Sequence, residues 1–281
     1  ISGKYCIVAR PYSDEQKLNS GTAYIYNTET GERVHQLSGS DVGANGSGGI
    51  YFSGEAVDID GNYAIVGGFY GKKPSAGISS VGAAYIFNVT TGQQIHKLVA
   101  NDAFSMDQFG TSVAISGNYA IVSAKWNNNS GSEHQSGAAF IFDVATGQEL
   151  HRLSAKDQGY DDRFGYHVDI DGDYAVVSGW LNDDNGTNSG AIYLYNVITG
   201  QQLHKCTASD AAASDEFGRR VAISGNYAIT SALHNDDNGG SSGAGYIFDV
   251  TSGKELYKVL ADDAAANDYL GYWVAMSGKY A

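Results

Sequence analysis

Apolar and polar residues alternate along this chain in short runs, and one pair of runs recurs through the whole sequence. Residues 109–124 read Phe-Gly-Thr-Ser-Val-Ala-Ile-Ser-Gly-Asn-Tyr-Ala-Ile-Val-Ser-Ala, so that two runs flank a Ser-Gly-Asn turn. Alternation with period two on both sides of a tight turn is typical of a β-hairpin. The pattern therefore predicts a hairpin that is copied several times.

The copies are in register, and a tyrosine after the turn marks each of them. These tyrosines are Tyr5, Tyr63, Tyr119, Tyr174, Tyr227 and Tyr280. They are separated by 58, 56, 55, 53 and 53 residues. We therefore expect a single domain over residues 1–281, made of five repeats of about 53–58 residues.

Each repeat contains two further short runs after the hairpin. The third run is aromatic and follows a glycine, as in 137–142, and the fourth follows a Thr-Gly or Ser-Gly turn, as in 148–153. No stretch keeps the spacing of an amphipathic helix, so helical repeats are excluded. Four antiparallel strands per repeat of this length are typical of a propeller blade. The sequence predicts an all-β fold, a β-propeller of five blades with four antiparallel strands each.

The two ends of the sequence predict how the ring closes. The chain starts at Ile1-Ser2-Gly3, in a hairpin that lacks its first strand, and residues 270–280 supply such a strand. Pairing of the N- and C-terminal strands would close the ring without an exposed edge. The alternative is a fragment of a six- or seven-bladed propeller, which the Ser-Gly-Lys-Tyr at both ends favours.

Composition limits the partners. The net charge is −14 and only 17 Lys and Arg residues are scattered through the chain, so we expect no nucleic-acid partner. No apolar run approaches the roughly 18 residues of a membrane span, so we expect no membrane insertion. Cys6 and Cys206 lie in different phases of the repeat, which disfavours a disulfide between them.

The starts of the middle repeats carry a resemblance to a known family. They are Phe109-Gly110, Phe164-Gly165 and Phe217-Gly218, and each repeat continues with Gly-Ala-x-Tyr or Gly-Ala-x-Phe. In these residues the chain resembles the FG-GAP repeat of integrin α-chain propellers, over essentially its whole length. The resemblance implies a propeller that is extracellular or at the cell surface. It does not identify a ligand, because this repeat occurs in proteins with different ligands.

The chain departs from the family pattern at two kinds of position. Ser53-Gly54 and Leu270-Gly271 replace Phe-Gly, and the integrin calcium loop, Asp-x-Asp-x-Asp-Gly, is absent. Some acidic residues remain in the hairpins where the family has this loop. We interpret these acids as turn residues, because so short a turn cannot supply the six to eight oxygens that Ca²⁺ requires. They are Asp58, Asp60, Asp169, Asp171 and Asp173.

The loops between the second and third strands carry aromatic residues at similar distances after the repeat tyrosine. Since these loops share one face of a propeller, which we call the loop face, their rings would be spaced around it. We predict that they bind a ligand, for example by stacking on sugar rings. The alternative is that each ring caps a neighbouring blade. The predicted ligand-binding residues are Tyr12, Tyr70, Trp126, Trp180 and His234.

Two of the same loops read Asn-Asp-Asp-Asn-Gly. Carboxylate and amide oxygens on glycine-rich backbone are suitable ligands for Ca²⁺, which is the cofactor we predict here. The alternative is an ordinary solvated turn. The predicted metal ligands are Asp183, Asp184, Asp236 and Asp237.

Two other sets of residues recur too regularly to mark a single site. Asp pairs before each Phe-Gly position are expected to accept backbone N–H bonds in turns. Histidines at one position of the fourth strand lie on separate blades, so we expect packing rather than metal binding. The pairs are Asp102/Asp107, Asp157/Asp162, Asp210/Asp215 and Asp263/Asp268, and the histidines are His35, His96, His151 and His204, with Tyr257 in the last repeat.

Positions just after Phe-Gly differ between repeats and are expected to line the central channel. We expect a non-enzymatic extracellular recognition or adhesion propeller whose partner is a glycan or a protein ligand on the loop face. One alternative is a structural module of a larger surface protein or fibre, with further domains of the same polypeptide as partners. The other is a glycan-active enzyme around Glu55, His167, Arg219 and Arg220. It is disfavoured because Glu55 is the only acid at these channel positions.

Overall fold

The computed structural model describes residues 1–10, 21–40, 56–68, 72–73, 78–79, 81–104, 106–127 and 136–281, and within them every regular element is a β-strand. Blade 1 contains β1 (Tyr5–Arg10), β2 (Thr22–Asn27) and β3 (Arg33–Leu37). Blade 2 contains β4 (Val57–Asp60), β5 (Tyr63–Gly68), β8 (Ala83–Asn88) and β9 (Gln94–Leu98), and β6 (Lys72–Lys73) pairs with β7 (Ile78–Ser79) in a small hairpin.

The remaining blades are regular. Blade 3 contains β10 (Phe109–Ser116), β11 (Tyr119–Ala124), β12 (Ala138–Asp143) and β13 (Glu149–Leu153). Blade 4 contains β14 (Phe164–Asp171), β15 (Tyr174–Gly179), β16 (Ala191–Asn196) and β17 (Gln202–Cys206). Blade 5 contains β18 (Phe217–Ser224), β19 (Tyr227–Ala232), β20 (Ala244–Asp249) and β21 (Glu255–Val259). In blades 2–5 the four strands are antiparallel and follow sequence order, which confirms the predicted blade.

The hydrophobic core lies between neighbouring blades. Ile65 and Ile86 of blade 2 share one buried cluster with Phe109 and Phe140 of blade 3. Within blade 3, the ring of Phe109 packs on Phe140 with centroids 5.6 Å apart. Each such fully buried side chain contributes roughly 1.5–3 kcal/mol. Because both faces of an inner blade are covered, its strands are apolar on both sides.

The Phe-Gly pair forms the joint between blades. Phe164 donates its backbone N–H to Ser136 O at 3.0 Å, and a parallel bridge links it to Gly137 of the previous blade. Gly165 has a φ of 81°, and a Cβ on it would lie 2.5 Å from Ala138 O. Glycine is therefore required here both by backbone conformation and by the close approach of two backbones.

The inner hairpins are linked from blade to blade. The Ser or Asp before each turn glycine accepts the N–H of the next hairpin's glycine. The bonds run from Gly61 N to Ser2 Oγ (2.9 Å), Gly117 N to Asp60 Oδ2 (2.8 Å), Gly172 N to Ser116 Oγ (3.1 Å), Gly225 N to Asp171 Oδ2 (2.7 Å) and Gly278 N to Ser224 Oγ (3.0 Å). The interpretation of Asp60 and Asp171 as turn residues is thus confirmed, and they also join blades.

Asp58 and Asp169 make a second link, deeper in the channel. Asp169 accepts Ile170 N with Oδ1 and Ile223 N of blade 5 with Oδ2, at 2.9 and 2.8 Å. Asp58 makes the same pair of bonds, to its own blade and to blade 3. Blades 3 and 5 carry Ala114 and Ala222 at this position, so carboxylate-bearing blades alternate with alanine-bearing ones.

The strand-four histidines have the predicted packing role. Each histidine Nε2 donates to a carbonyl in the next blade: His35 to Thr90 O (2.8 Å), His96 to Ala145 O (2.9 Å), His151 to Ile198 O (2.9 Å) and His204 to Thr251 O (2.9 Å). Tyr257 occupies this position in blade 5 and is 66% exposed. Cys6 and Cys206 are free thiols, as expected.

The predicted closing pair of strands is not seen. Among the described residues, β1 pairs only with β2, so blade 1 has three strands. Residues 270–281 stay with blade 5 instead. Leu270 bridges Gly243, Gly278 bonds Ser224, and Ser277 and Tyr280 close a turn of their own. The bonds of Leu270 and Gly278 are equivalent to those by which Phe217 and Gly225 of blade 5 join blade 4, so the segment follows blade 5 as the start of the next repeat.

The Phe-Gly joint predicts a large difference between two glycines of blade 4. We expect Gly165→Ala to lower the free energy of unfolding by about 4 kcal/mol or more, because the methyl group meets backbone that cannot move. Gly172→Ala is the matched control, since its φ is 55° and nothing lies within 4 Å of an added Cβ. Its cost should be about 1–2 kcal/mol. Chemical denaturation measures the free energy of unfolding of both variants. Equal losses would contradict the structural role of the Phe-Gly joint.

Asp169 gives the stability of the fold a defined dependence on pH. Burial raises the pKa of its carboxyl from 3.8 to about 7, and the charge of Asp58 adds to the rise. At pH values between these two pKa values, Asp169 is protonated in the folded protein and ionised in the unfolded chain. The free energy of unfolding therefore decreases as pH rises. Asp169→Asn should make the slope of unfolding free energy against pH shallower by up to about 1.4 kcal/mol per unit.

The measurement is urea denaturation, followed by tryptophan fluorescence, at several pH values between about 4 and 7. Asp173→Asn, at an exposed turn position of the same hairpin, is the control and should keep the parent's slope. The slope is compared rather than the stability itself, because an asparagine cannot accept both backbone N–H bonds. A parent-like slope in Asp169→Asn would rule out titration of this carboxyl.

Candidate functional site

The first strands of blades 2–5 and residues 273–276 surround a central cavity of about 400 Å³. Asp58 and Asp169 line it, as do Ser112, His167 and Trp273, so the predicted channel exists. Burial, and next to it the positive charge of Arg220, lower the pKa of His167 to about 4. The imidazole is therefore neutral at pH 7. Glu55, the acid of the enzyme alternative, lies outside the described residues.

Aromatic rings and cations interleave where the channel meets the loop face. We call this group the cation–aromatic cluster. Its members are Lys125, Trp126, Arg163, Tyr166, Trp180, Arg219, Arg220 and Trp273. Four of the chain's 17 Lys and Arg residues are thus gathered on one face of an otherwise acidic protein.

Cation–π contacts hold the cluster together. The Arg219 guanidinium lies 4.6 Å from the ring centroid of Trp180, and the Arg220 guanidinium lies 4.4 Å from that of Trp273. Tyr166 packs on Trp180 with centroids 5.3 Å apart. Such contacts contribute about 0.5–2 kcal/mol each, more when water is excluded. The arginines are therefore held in fixed positions over the rings.

The predicted aromatic residues occupy two neighbouring loop positions. The backbone N–H groups of Trp126 and His234 donate to Asp107 O and Asp215 O, and the corresponding group in blade 4 belongs to Leu181. Trp180 therefore lies one residue before the loop position that Trp126 and His234 occupy in their blades. Trp126 and Trp180 are half-buried, and each indole Nε1 is buried without a hydrogen-bond partner among the described residues. Both rings pack within the cluster as well as facing its surface.

The predicted residues Tyr12 and Tyr70 lie outside the described residues. Their role as ligand-binding residues stays a prediction.

Sequence reasoning missed Arg163 and Glu216, which both precede Phe-Gly. Their φ angles are 55° and 54°, in the left-handed region that side chains other than glycine seldom adopt. The Asp before each of them stabilises the turn, since Asp162 accepts Gly159 N at 2.7 Å and Asp215 makes the equivalent bond. This confirms the structural role of the second Asp in these pairs. The sequence did contain a signal for them. A single residue separates the repeated Asp from Phe-Gly, and its identity varies between repeats.

His234 lines a second cavity, of about 390 Å³, between the loops at 212–216 and 240–241. Its Nδ1 lies 3.0 Å from Ser241 Oγ, and its Nε2 lies 3.4 Å from Glu216 Oε2. Glu216 also pairs with Arg219. The imidazole is thus fixed in orientation and connected to the cation–aromatic cluster through one carboxylate.

The four predicted metal ligands lie on exposed loops. Lys205 bridges Asp184 to Asp157, and Lys258 bridges Asp237 to Asp210. An ammonium group therefore already neutralises two of the four, and a calcium ion there would have to displace it. In the described part of the chain, no group of three or more His, Cys, Asp or Glu side chains is placed to hold a metal ion.

Asp183 accepts the backbone N–H of Asn188 at 2.7 Å, and Asp236 lines the His234 cavity. Calcium binding by these loops stays a prediction. Across the described residues, no helix is long and apolar enough to cross a membrane.

Comparisons with known proteins agree with this architecture. No protein among those with curated descriptions matches the sequence. The crystal structure of the computationally designed Ika8 protein is similar, with a TM-score of 0.56 and 14% identity. The match covers 94% of this chain, which spans 62% of that protein's length, and it shows a likeness of fold alone.

A family profile described as FG-GAP repeat matches three times, at residues 93–142, 148–195 and 201–248. Each match runs from the fourth strand of one blade to the third strand of the next, and together they cover more than half of the chain. Such repeats are found in adhesion and recognition proteins and are typical of extracellular and surface proteins. The chain belongs to the FG-GAP repeat family.

Proposed function

We propose that this protein is a non-enzymatic recognition or adhesion module, extracellular or at the cell surface, which binds a glycan on its loop face. The observation that carries the proposal is the cation–aromatic cluster. The scaffold residues of the fold repeat from blade to blade, whereas the positions that carry the cluster residues vary between blades. Residues that vary on a repeated scaffold are where a specific ligand would be recognised.

The composition of the cluster supports binding. Trp, Tyr and Arg dominate the energetics of protein interfaces, because they combine large apolar area with polar groups and few rotatable bonds. Here Trp126, Trp180 and Trp273 lie on one face, and Trp273 is 66% exposed. Flat rings of this kind suit the apolar faces of sugars, and the arginines beside them suit sugar oxygens.

The described channel carboxylates support binding rather than hydrolysis. A glycosidase needs two carboxyl groups that face the substrate with free oxygens. Asp58 and Asp169 instead use both oxygens to accept backbone N–H groups. They are therefore occupied in holding blades together.

A second candidate function is a structural repeat module of a larger surface protein. The observation that favours it is the sheet edge of blade 1, where β1 pairs only with β2 among the described strands and Val8 is 48% exposed. An unpaired edge is a template for another strand. Concentration-dependent assembly in sedimentation velocity would support this candidate, and a monomer at all concentrations would contradict it.

Substitution of the tryptophans tests the recognition function. A glycan array should give a defined set of ligands for the parent protein, with Trp126→Ala and Trp180→Ala each weakening binding by about tenfold or more, as expected for aromatic hot spots. Tyr227→Ala is the control, because it removes a ring at the start of β19, at the end of blade 5 opposite the loop face. Melting temperatures of all variants are compared with that of the parent.

The same array with EDTA tests calcium. Binding that is lost in EDTA and restored by Ca²⁺ would support ligands at Asp183, Asp184, Asp236 and Asp237, whereas unchanged binding would contradict them. If the parent binds no glycan under any condition, or if both tryptophan variants behave like the parent, the glycan-recognition function is wrong.

A further inference from the structure

Three side chains with complementary chemistry meet in the cavity of about 390 Å³ that His234 lines. Its volume is within the range of small-molecule sites, roughly 300–1,000 Å³. Ser241 and Glu216 line the same cavity. Ser241 Oγ lies 3.0 Å from His234 Nδ1, and Glu216 Oε2 lies 3.4 Å from His234 Nε2. A hydroxyl, an imidazole and a carboxylate are therefore linked in series.

The two contacts determine which ring nitrogen carries the proton. A carboxylate accepts hydrogen bonds and cannot donate them, so Nε2 of His234 is the protonated nitrogen. Nδ1 is then an acceptor, and the hydroxyl of Ser241 donates to it. The ring of Tyr269 packs on the imidazole with centroids 5.7 Å apart, and Arg219 pairs with the same oxygen of Glu216. The base and its carboxylate are therefore both fixed in position.

This series of contacts distinguishes blade 5 from blade 4. The equivalent residues of blade 4 are Arg163, Leu181 and Asn188, which supply neither a base nor a nucleophile. The backbone N–H of Asn188 donates to Asp183 Oδ1 at 2.7 Å, whereas the N–H of Ser241 has no acceptor in the described part of the chain. Blade 5 thus departs from blade 4 at the three positions that build one chain of hydrogen bonds.

We propose that Ser241, His234 and Glu216 hydrolyse carboxylic esters in this cavity. A serine becomes a nucleophile when an adjacent base takes its proton, and a third group orients that base. Ala212 and Ala213 form an apolar part of the wall, which suits a short acyl group. The inference goes beyond the recognition function, which involves no reaction at the cation–aromatic cluster. The protein is then non-enzymatic at its recognition surface only.

The reaction has two steps, and both use the same imidazole. Ser241 Oγ bonds to the ester carbonyl carbon while its proton passes to His234 Nδ1. The bond from that carbon to the alcohol oxygen breaks, and the alcohol leaves with this proton. Water then attacks the acyl-serine and gives a proton to Nδ1, the acid is released, and the proton returns to Ser241 Oγ. The N–H of Ser241 is available to the oxyanion of each step.

Labelling with a fluorophosphonate tests the nucleophile, because this probe reacts with serines that a base has activated. Mass spectrometry of the labelled peptides should place the phosphonyl group on Ser241, and Ser241→Ala should abolish it. Ser252→Ala is the control and should keep the label, because Ser252 is bonded to Asp249 and to no imidazole. If Ser241→Ala does not fold, Ser241→Asn replaces it, since blade 4 carries asparagine at this position.

Hydrolysis of p-nitrophenyl acetate tests turnover. The parent should continue to release p-nitrophenol after each molecule has reacted once. His234→Leu, which introduces the residue of blade 4, should lower kcat by about a hundredfold or more, as expected for loss of a general base. Glu216 is a positioning residue, because it acts through the imidazole. Glu216→Gln should therefore lower kcat by about tenfold or more and leave KM within about twofold of the parent's value.

The outcomes separate this inference from glycan recognition. If Ser241 takes no label, if the parent is labelled without turnover, or if Ser241→Ala hydrolyses the ester like the parent, the esterase site is wrong. A kcat of Glu216→Gln equal to that of the parent would remove the carboxylate from the mechanism and overturn the three-residue site. A failed ester assay leaves glycan recognition intact, and a negative glycan array leaves the esterase site intact.

Discussion

The described structure depends on the contact between two backbones at the start of blades 3, 4 and 5. A Phe-Gly strand meets the glycine that opens the third strand of the previous blade so closely that neither side has room for a Cβ. The buried phenylalanine then packs under the third strand of its own blade. Glycine allows the two backbones to approach, and burial of the apolar side chain stabilises the contact. The hydrogen bonds of the inner hairpins and of the strand-four histidines join neighbouring blades at two further positions.

Much of this scaffold was predictable, because repetition converts one local pattern into a global one. The hairpin of 109–124 predicts its own strands with the correct turn, and its copies predict the blades. The role of the histidines followed from their spacing. Closure of the ring did not follow, because local alternation specifies that residues 270–280 are extended but not which edge they meet. In the structure, residues 270–280 form no strand pair with β1 among the described residues.

The candidate site was only partly predictable, because side chains from different blades build it. Sequence spacing placed Trp126, Trp180 and His234 on the loop face, but not the arginines over their rings. Arg163 reaches its ring through a left-handed backbone conformation that no local preference for arginine indicates. The lysine bridges to Asp184 and Asp237 join residues 21 positions apart in the chain, so composition alone suggested open acidic loops.

The alternation of aspartate and alanine along the channel restricts how such a chain can change its number of blades. Two carboxylates line the channel from blades 2 and 4, burial raises the pKa of both, and the charge of Asp58 raises that of Asp169 further. An alanine-bearing blade separates them. The alternation is confined to blades 2–5, since Ala275 follows Ala222 at this position of the repeat. Deletion of blade 3 would place the two acid-bearing blades side by side, and deletion of blade 4 would remove the carboxylate that accepts Ile223 N of blade 5. Within these four blades, the hydrogen bonds and the spacing of charge are therefore kept only when blades are gained or lost as acid–alanine pairs.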